Sequence, residues 1–384
     1  MTIQDRTAIV GVGQTEFAKS IERSEARLAL EAISAALDDA GIAPGEVDGL
    51  SSYTLENTEE VDIARNLGLG DITFFSQVGY GGGAGCGVVG HAALAVATAQ
   101  CSVAVAWRSR KRGAATSRPW SQVSTRLSGQ HQWTRPFGLL RPVDEIAMLT
   151  RRYLHEFGGT RADLASIAVS VREHANRNPG AMMHAKTLTT EQYLDARWIS
   201  EPLCLFDNCL ESDGAGAVVI TSAERARDLR QPPVLIHAFA QSIPRQHQVM
   251  TNYFGPDPLV GPSYACAERL WANSEITAAD VDVAQLYDAF SPLVPLSLEG
   301  YGFVGRGEGL AFCAEGNLRL GGRLPTNTSG GGMSEAYVHG FNLIVEGARQ
   351  MRGGSHSQVP DARVCLVTSG EGVPTSALLL RRAA

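Results

Sequence analysis

One device occurs twice in this chain, and it limits the possible folds more than any other feature. YGGGAGCGVVGHAALAVATA (80–99) is a glycine turn running into a helix, and the apolar strand CSVAVAW (101–107) follows. SGGGMSEAYVHGFNLIVEGARQMRG (329–353) has the same form, and VCLVTSG (364–370) follows it. A second frame also repeats. IAPGEVDGL (42–50) comes after a helical stretch at about 25–40, and ITAADVDVA (276–284) comes after one at about 263–273. Agreement in order, spacing and glycine placement predicts an internal duplication.

The local signals support this reading. Ser24 is a fitting N-cap and Gly41 a fitting residue just past the end of the 25–40 helix, with Leu30, Ile33 and Leu37 as its apolar stripe. Further strands are expected at 8–12, 217–220 and 234–238. Strands alternating with helices predict an α/β protein with layered sheets and mostly parallel connections. The helix after Gly83 is apolar nearly all round, which places it between layers. The segment from about 109 to 202 belongs to neither repeat and reads as an inserted loop domain over the active face. RQPPV (230–234) marks the boundary between halves 1–230 and 231–384.

Composition excludes several classes. With 44% hydrophobic and 19% charged residues, 384 residues make a globular chain rather than a disordered one. A net charge of −7 argues against a nucleic-acid binder, which needs a basic face. MTIQDRTAIVGVG carries no basic-then-apolar leader, and the long apolar stretch 88–107 reads as a buried helix and strand rather than a membrane span. Seven scattered cysteines, with no CxxC pair, predict reduced thiols and a cytoplasmic setting, with no metal site.

Five motifs in order resemble the thiolase superfamily, and more narrowly its lipid-transfer or sterol-carrier branch. They are the glycine turn 80–87, SDGAGAVVI (212–220), LYDAF (286–290), NTSGGGMSEAY (327–337) and TSGEG (368–372). The resemblance covers nearly the whole chain and implies a thiolase fold, a duplicated αβαβα layering. The departures carry the function. Where the family places its nucleophilic cysteine, this chain has Gly82. Where it places a histidine after the second glycine turn, this chain has Tyr337. The amide or histidine of the NEAF or HDCF box becomes Tyr287, and the later cysteine becomes Leu366. The pattern looks like the thiolase-like aldolases of steroid side-chain degradation. That implies retro-aldol cleavage of a β-hydroxyacyl-CoA to a ring ketone and a short acyl-CoA, with propionyl-CoA expected. It also implies a homodimer core, a small OB-fold and zinc-ribbon partner protein, and no cofactor beyond the substrate's CoA.

Cys86 is the rival nucleophile. It lies four residues past Gly82, about 6 Å along a helix, whereas attack needs contact within about 3.5 Å. It reads as a small buried hydrophobe. Cys365, next to Leu366, faces the other side of its strand and reads as core.

On that resemblance the chemistry is assigned to Tyr287 and Tyr337, one as base and one as acid, in an order the sequence leaves open. A phenol with its ordinary pKa near 10 is ionised about one part in a thousand at neutral pH, a deficit of about 4 kcal/mol. Enolate stabilisation is expected from backbone N–H groups at Gly82 and in the loop of Ser369, Gly370 and Gly372. The glycine at position 82 is expected to make room for a branched tertiary alcohol. His339 is read as orienting a tyrosine, as touching substrate, or as a structural histidine near a helix start. Asp288 is read as holding the backbone, and Glu335 as part of a helix's first turn. The basic run RSRKRG (108–113), with Arg118, reads as solvated or at a subunit contact, with a CoA-phosphate or partner role as the minority reading. PWSQ (119–122) and HQW (131–133) are candidates for a steroid pocket or a partner surface. The competing functions are a non-catalytic acyl-CoA or lipid carrier and an atypical thiolase, an acyltransferase using Cys86.

Overall fold

A computed structural model describes residues 3–112, 129, 131–245, 250, 253 and 255–383. PWSQ, Gly113 and Arg118 lie outside the described residues.

Among the described residues, nine strands form one twisted sheet: β1 (Thr7–Gln14), β2 (Gly49–Tyr53), β3 (Phe74–Val78), β4 (Val103–Arg110), β5 (Gly214–Ser222), β6 (Val234–Ser242), β7 (Val283–Gln285), β8 (Val364–Ser369) and β9 (Thr375–Arg382). Their spatial order is β3-β2-β4-β5-β1-β6-β9-β8-β7. From the central pair β1 and β6 outward, β1-β5-β4-β2 on one side follows the same logic as β6-β9-β8-β7 on the other.

The sheet is mixed rather than mostly parallel. β2 runs parallel to β3 and β4, and β7 runs parallel to β8. The other five pairings are antiparallel. The physical reason is connection length. β8 and β9 are joined by the short 370–374 turn, which can only reverse the chain. β5 is reached through the long insertion and enters from the opposite end.

Helix α1 (Glu25–Ala40) begins and ends as the sequence predicts. Ser24 accepts from the Arg27 N–H at 3.1 Å, and Gly41 turns left-handed at φ +71°. Its buried stripe is richer in alanine than expected (Ala29, Ala32, Ile33, Ala36, Leu37), and Leu30 is only half-buried. Small residues suit this contact, because Gly11 and Gly13 of β1 bring the strand against the helix backbone so closely that a β-carbon would overlap it.

The helices α2 (Gly85–Ala97) and α3 (Phe341–Arg352) lie between the two halves of the sheet, touching strands of both. α1 covers the outer face of the first half. α4 (Pro262–Ala272) covers that of the second. This is the αβαβα layering. The 88–107 stretch is α2 followed by β4, both buried, and among the described residues no helix is long and apolar enough to cross a membrane.

The repeat extends to single side chains. Asp48 accepts the N–H groups of Ser102 and Val103 at 2.8 Å each, and Asp282 accepts those of Arg363 and Val364 at 2.7 and 2.9 Å. Each aspartate follows a 3-10 turn and ties down the start of a neighbouring strand, β4 in one half and β8 in the other.

Candidate active site

The two glycine turns and the β8–β9 turn converge. Ser376 donates to the Gly83 carbonyl at 2.6 Å, and a β-carbon on Gly83 would overlap the Pro374 carbonyl. Ser369 accepts from the Cys86 N–H at 2.8 Å, tying the first turn of α2 to the end of β8. Thr375 donates to the carbonyls of Ser369 and Gly370, both at 2.6 Å, which fixes the tight turn where Gly370 takes φ +79°.

LYDAF leaves β7 directly into this junction. Asn327 holds Leu286 at both ends, accepting its N–H at 2.7 Å and donating to its carbonyl at 2.8 Å. The Tyr287 N–H donates to the Thr368 hydroxyl at 2.9 Å. Asp288 faces the other way and accepts from the Gly332 N–H at 2.7 Å, so it holds the second glycine turn as expected. Burial raises its carboxyl to about 6.

That second turn differs from its first-half counterpart. Residues Gly331–Glu335 form a single π-type turn, and α3 starts only at Phe341. Glu335 therefore lies outside the first turn of α3, contrary to expectation. It is a buried carboxyl accepting from Ser329, from Asn342 at 2.9 Å and from Asn178 at 3.2 Å, and burial raises it to about 7. Asn178 and Arg172 come from the inserted segment, so that segment braces the turn.

The extended stretch after the turn carries Tyr337 to Tyr287. The two hydroxyls share a hydrogen bond, with ring centres 6.1 Å apart. Both rings are buried, 5% and 7% exposed. A β-carbon at Gly82 would overlap the Tyr287 phenol, and one at Gly340 would lie 3.0 Å from its ring. The room made by Gly82 is thus filled by Tyr287, not left for an alcohol. Burial pushes both phenols above their ordinary range, and the neighbouring Tyr337 adds to the push on Tyr287.

His339 follows in a left-handed conformation, φ +56°. Its Nδ1 faces Arg108 at 3.0 Å and its Nε2 faces Arg112 at 2.8 Å. A protonated ring would be a third cation here, so burial and the arginines hold His339 far below its usual range. A neutral imidazole has one lone pair, so one guanidinium donates to it and the other meets its N–H. Arg108 also lies 4.8 Å from the centre of the Tyr53 ring and pairs with Glu56 at 3.2 Å, both side chains fully buried. Arg112 lies 5.3 Å from the centre of the Tyr337 ring.

The basic run is therefore not a solvated patch. Arg108 and Arg112 are 0% and 2% exposed, and Lys111 donates to the carbonyls of Glu22 and Arg23. The sequence did hold a signal: arginine at 108, 110 and 112 has the period of a strand face.

The structure gathers Tyr287, Tyr337, Gly82, His339 and the Ser369–Gly372 turn in one place. Within it, the Ser369 side chain is committed to Cys86, and Gly372 accepts from the Met250 N–H. Cys86 is fully buried, bonded to Ser369 and to the Val367 carbonyl, and burial lifts its thiol to about 12. It is packing, as the sequence implied. Leu366 and Cys365 face opposite cores, Cys365 against α3.

The chain is similar to several known proteins. Residues 247–380 match the thiolase C-terminal domain-like family. A 17-hydroxy-3-oxo-4-pregnene-20-carboxyl-CoA lyase of Mycobacterium tuberculosis is 46% identical over 98% of this chain and 100% of its own. A steroid side-chain-cleaving aldolase of Thermomonospora curvata is 45% identical over 97% of each chain. A solved Ltp2-ChsH2(DUF35) aldolase superimposes with a TM-score of 0.94 at 44% identity, covering 100% of this chain and 99% of its own.

Proposed function

The chain belongs to the thiolase-like, steroid side-chain-cleaving aldolases, and from that premise we propose that Tyr287 and Tyr337 are its acid and base. It is a carbon–carbon lyase that performs retro-aldol cleavage of a steroid side chain carried as a CoA thioester. The observation that supports the residue roles is the hydrogen bond between the two phenols, directly above Gly82, in a site where Cys86 is locked as a neutral thiol.

One phenolate takes the proton of the β-hydroxyl, and that O–H electron pair becomes the new carbonyl. The Cα–Cβ pair passes to the thioester as an enolate. The second tyrosine then protonates Cα. Backbone N–H groups at Gly82 and the Ser369–Gly372 turn are the enolate's nearest donors in this reading. Propionyl-CoA is the proposed short product, and the substrate's own CoA is the only carrier the reaction uses.

The proposed assembly has two interfaces. The edge strand β3, with Phe75 at 71% exposed and Tyr80 just beyond it at 52%, is the proposed homodimer contact. The Ltp2-ChsH2(DUF35) aldolase carries two components in its name. By that likeness we assign a small OB-fold and zinc-ribbon partner, with the exposed Trp133 and Phe137 as the apolar surface it would cover. A cytoplasmic setting fits the seven unpaired cysteines. We also read 1–230 and 231–384 as the two halves of the duplication.

The deciding experiment incubates the purified chain, with its partner, with a steroid side-chain β-hydroxyacyl-CoA. Release of a ring ketone and a short acyl-CoA in equal amounts is expected. Tight binding of the thioester with no product would instead favour the carrier reading.

A further inference from the structure

The buried arginines treat the two phenols unequally. Arg112 spreads its guanidinium 5.3 Å from the centre of the Tyr337 ring, and the His339 ring it holds stands edge-on to the same phenol at 5.4 Å. Arg108 faces the other nitrogen of His339 at 3.0 Å and is itself paired with Glu56. Tyr287 is packed instead between Gly82 and Gly340, with its backbone on Thr368. A fixed cation over one member of a hydrogen-bonded pair favours negative charge on that member.

We propose that Arg112, held against His339, is a positioning residue that makes Tyr337 the phenolate of the pair. This rests on the two-phenol reading above and decides what that reading left open: Tyr337 is the base and Tyr287 the acid. The groups facing Tyr337 are Arg112 and Arg110 from the basic run, His339 on its own segment, Tyr287, Tyr53, and the Cys209 thiol, which burial keeps neutral at about 12. Burial raises both phenols. The arginines and the Tyr287 hydrogen bond pull Tyr337 back, whereas Tyr337 pushes Tyr287 further up.

The cycle balances. The Tyr337 phenolate accepts the hydroxyl proton, the O–H pair forms the carbonyl, and the Cα–Cβ pair forms the enolate. Tyr287 gives its proton to Cα. Tyr337, now neutral, returns its proton to the Tyr287 phenolate along their shared hydrogen bond, and no outside reagent is consumed.

The test measures kcat/KM against pH for the chain with its partner, as wild type, Arg112→Lys and Arg112→Gln. The acidic limb should move up by about one pH unit or more in Arg112→Gln and by less in Arg112→Lys, which keeps the charge. A limb that stays at the wild-type pH in Arg112→Gln overturns the assignment, even if the rate falls. A second measurement needs no arginine variant to fold. In ultraviolet titration of tyrosinate, the step lost in Tyr337→Phe should lie at lower pH than the step lost in Tyr287→Phe, and the reverse order overturns the proposal. Full activity in both Phe variants would defeat the two-phenol reading itself, whereas inactive variants with an unmoved limb would defeat only the role of Arg112.

Discussion

The phenol of Tyr287 occupies the space that any side chain at position 82 would need. Positions 82 and 287 are therefore coupled through one shared volume. A side chain on Gly82 and the Tyr287 ring cannot both be present in this geometry.

Gly82→Ala should accordingly cost about 1–3 kcal/mol of stability through overpacking and displace Tyr287. The cost should shrink when Gly82→Ala is combined with Tyr287→Ala, a non-additivity readable in a denaturant double-mutant cycle. Strict additivity would mean that the two positions do not compete for space.

Removing either hydroxyl should slow turnover. Tyr287→Phe and Tyr337→Phe are each expected to lose about 10²–10⁴-fold in kcat, the usual worth of a positioned acid or base, with little change in folding. Acyl-CoA release followed by chromatography measures this. A loss of less than about tenfold in both would be incompatible with proton transfer by phenols.

Cys86 should be dispensable for chemistry. Cys86→Ala is expected to keep the rate within about twofold, since the thiol is neutral and bonded into the core. Iodoacetamide should leave the native chain active, and stoichiometric inactivation with label on Cys86 would revive the thiolase reading.

The Arg108–Glu56 pair should matter for stability, because both side chains are fully buried. Glu56→Gln leaves the guanidinium charge uncompensated and is expected to cost about 3–5 kcal/mol in chemical denaturation. A near-neutral effect would mean that water reaches Arg108.

Stability should fall as pH rises from about 6.5 to 8. Glu371 is buried at the start of α4, near Gly261 and Ser263, and burial lifts its carboxyl from 4.5 to about 8. Glu145 and Glu335 are lifted by burial to about 7. These groups stay protonated in the folded chain after the unfolded chain has released its protons, so the folded state binds more protons and loses stability with rising pH across that window. Glu371→Gln should flatten the upper part of the slope. Below that window the buried neutral His339 acts with the opposite sign, so it is denaturation midpoints rising between pH 6.5 and 8 that would contradict this.

The sequence by itself determined the duplicated plan, because glycines, caps and apolar runs act over a few residues. Ser24 and Gly41 bound α1 as their local chemistry requires, and Asp48 and Asp282 sit in matching frames because the repeat carried them there. It also marked Tyr287 and Tyr337 as the odd residues of otherwise regular motifs.

Only the tertiary structure decided the rest, because it depends on side chains from distant segments sharing one volume. The strand directions followed from connection lengths. Glu335 fell in a turn of its own. The space at Gly82 went to a residue 205 positions away in the chain. The arginines of the basic run turned inward because β4 ends beside His339, 231 residues from Arg108. The alternation of arginines at 108, 110 and 112 marked a strand face, but not the distant side chains that bury it.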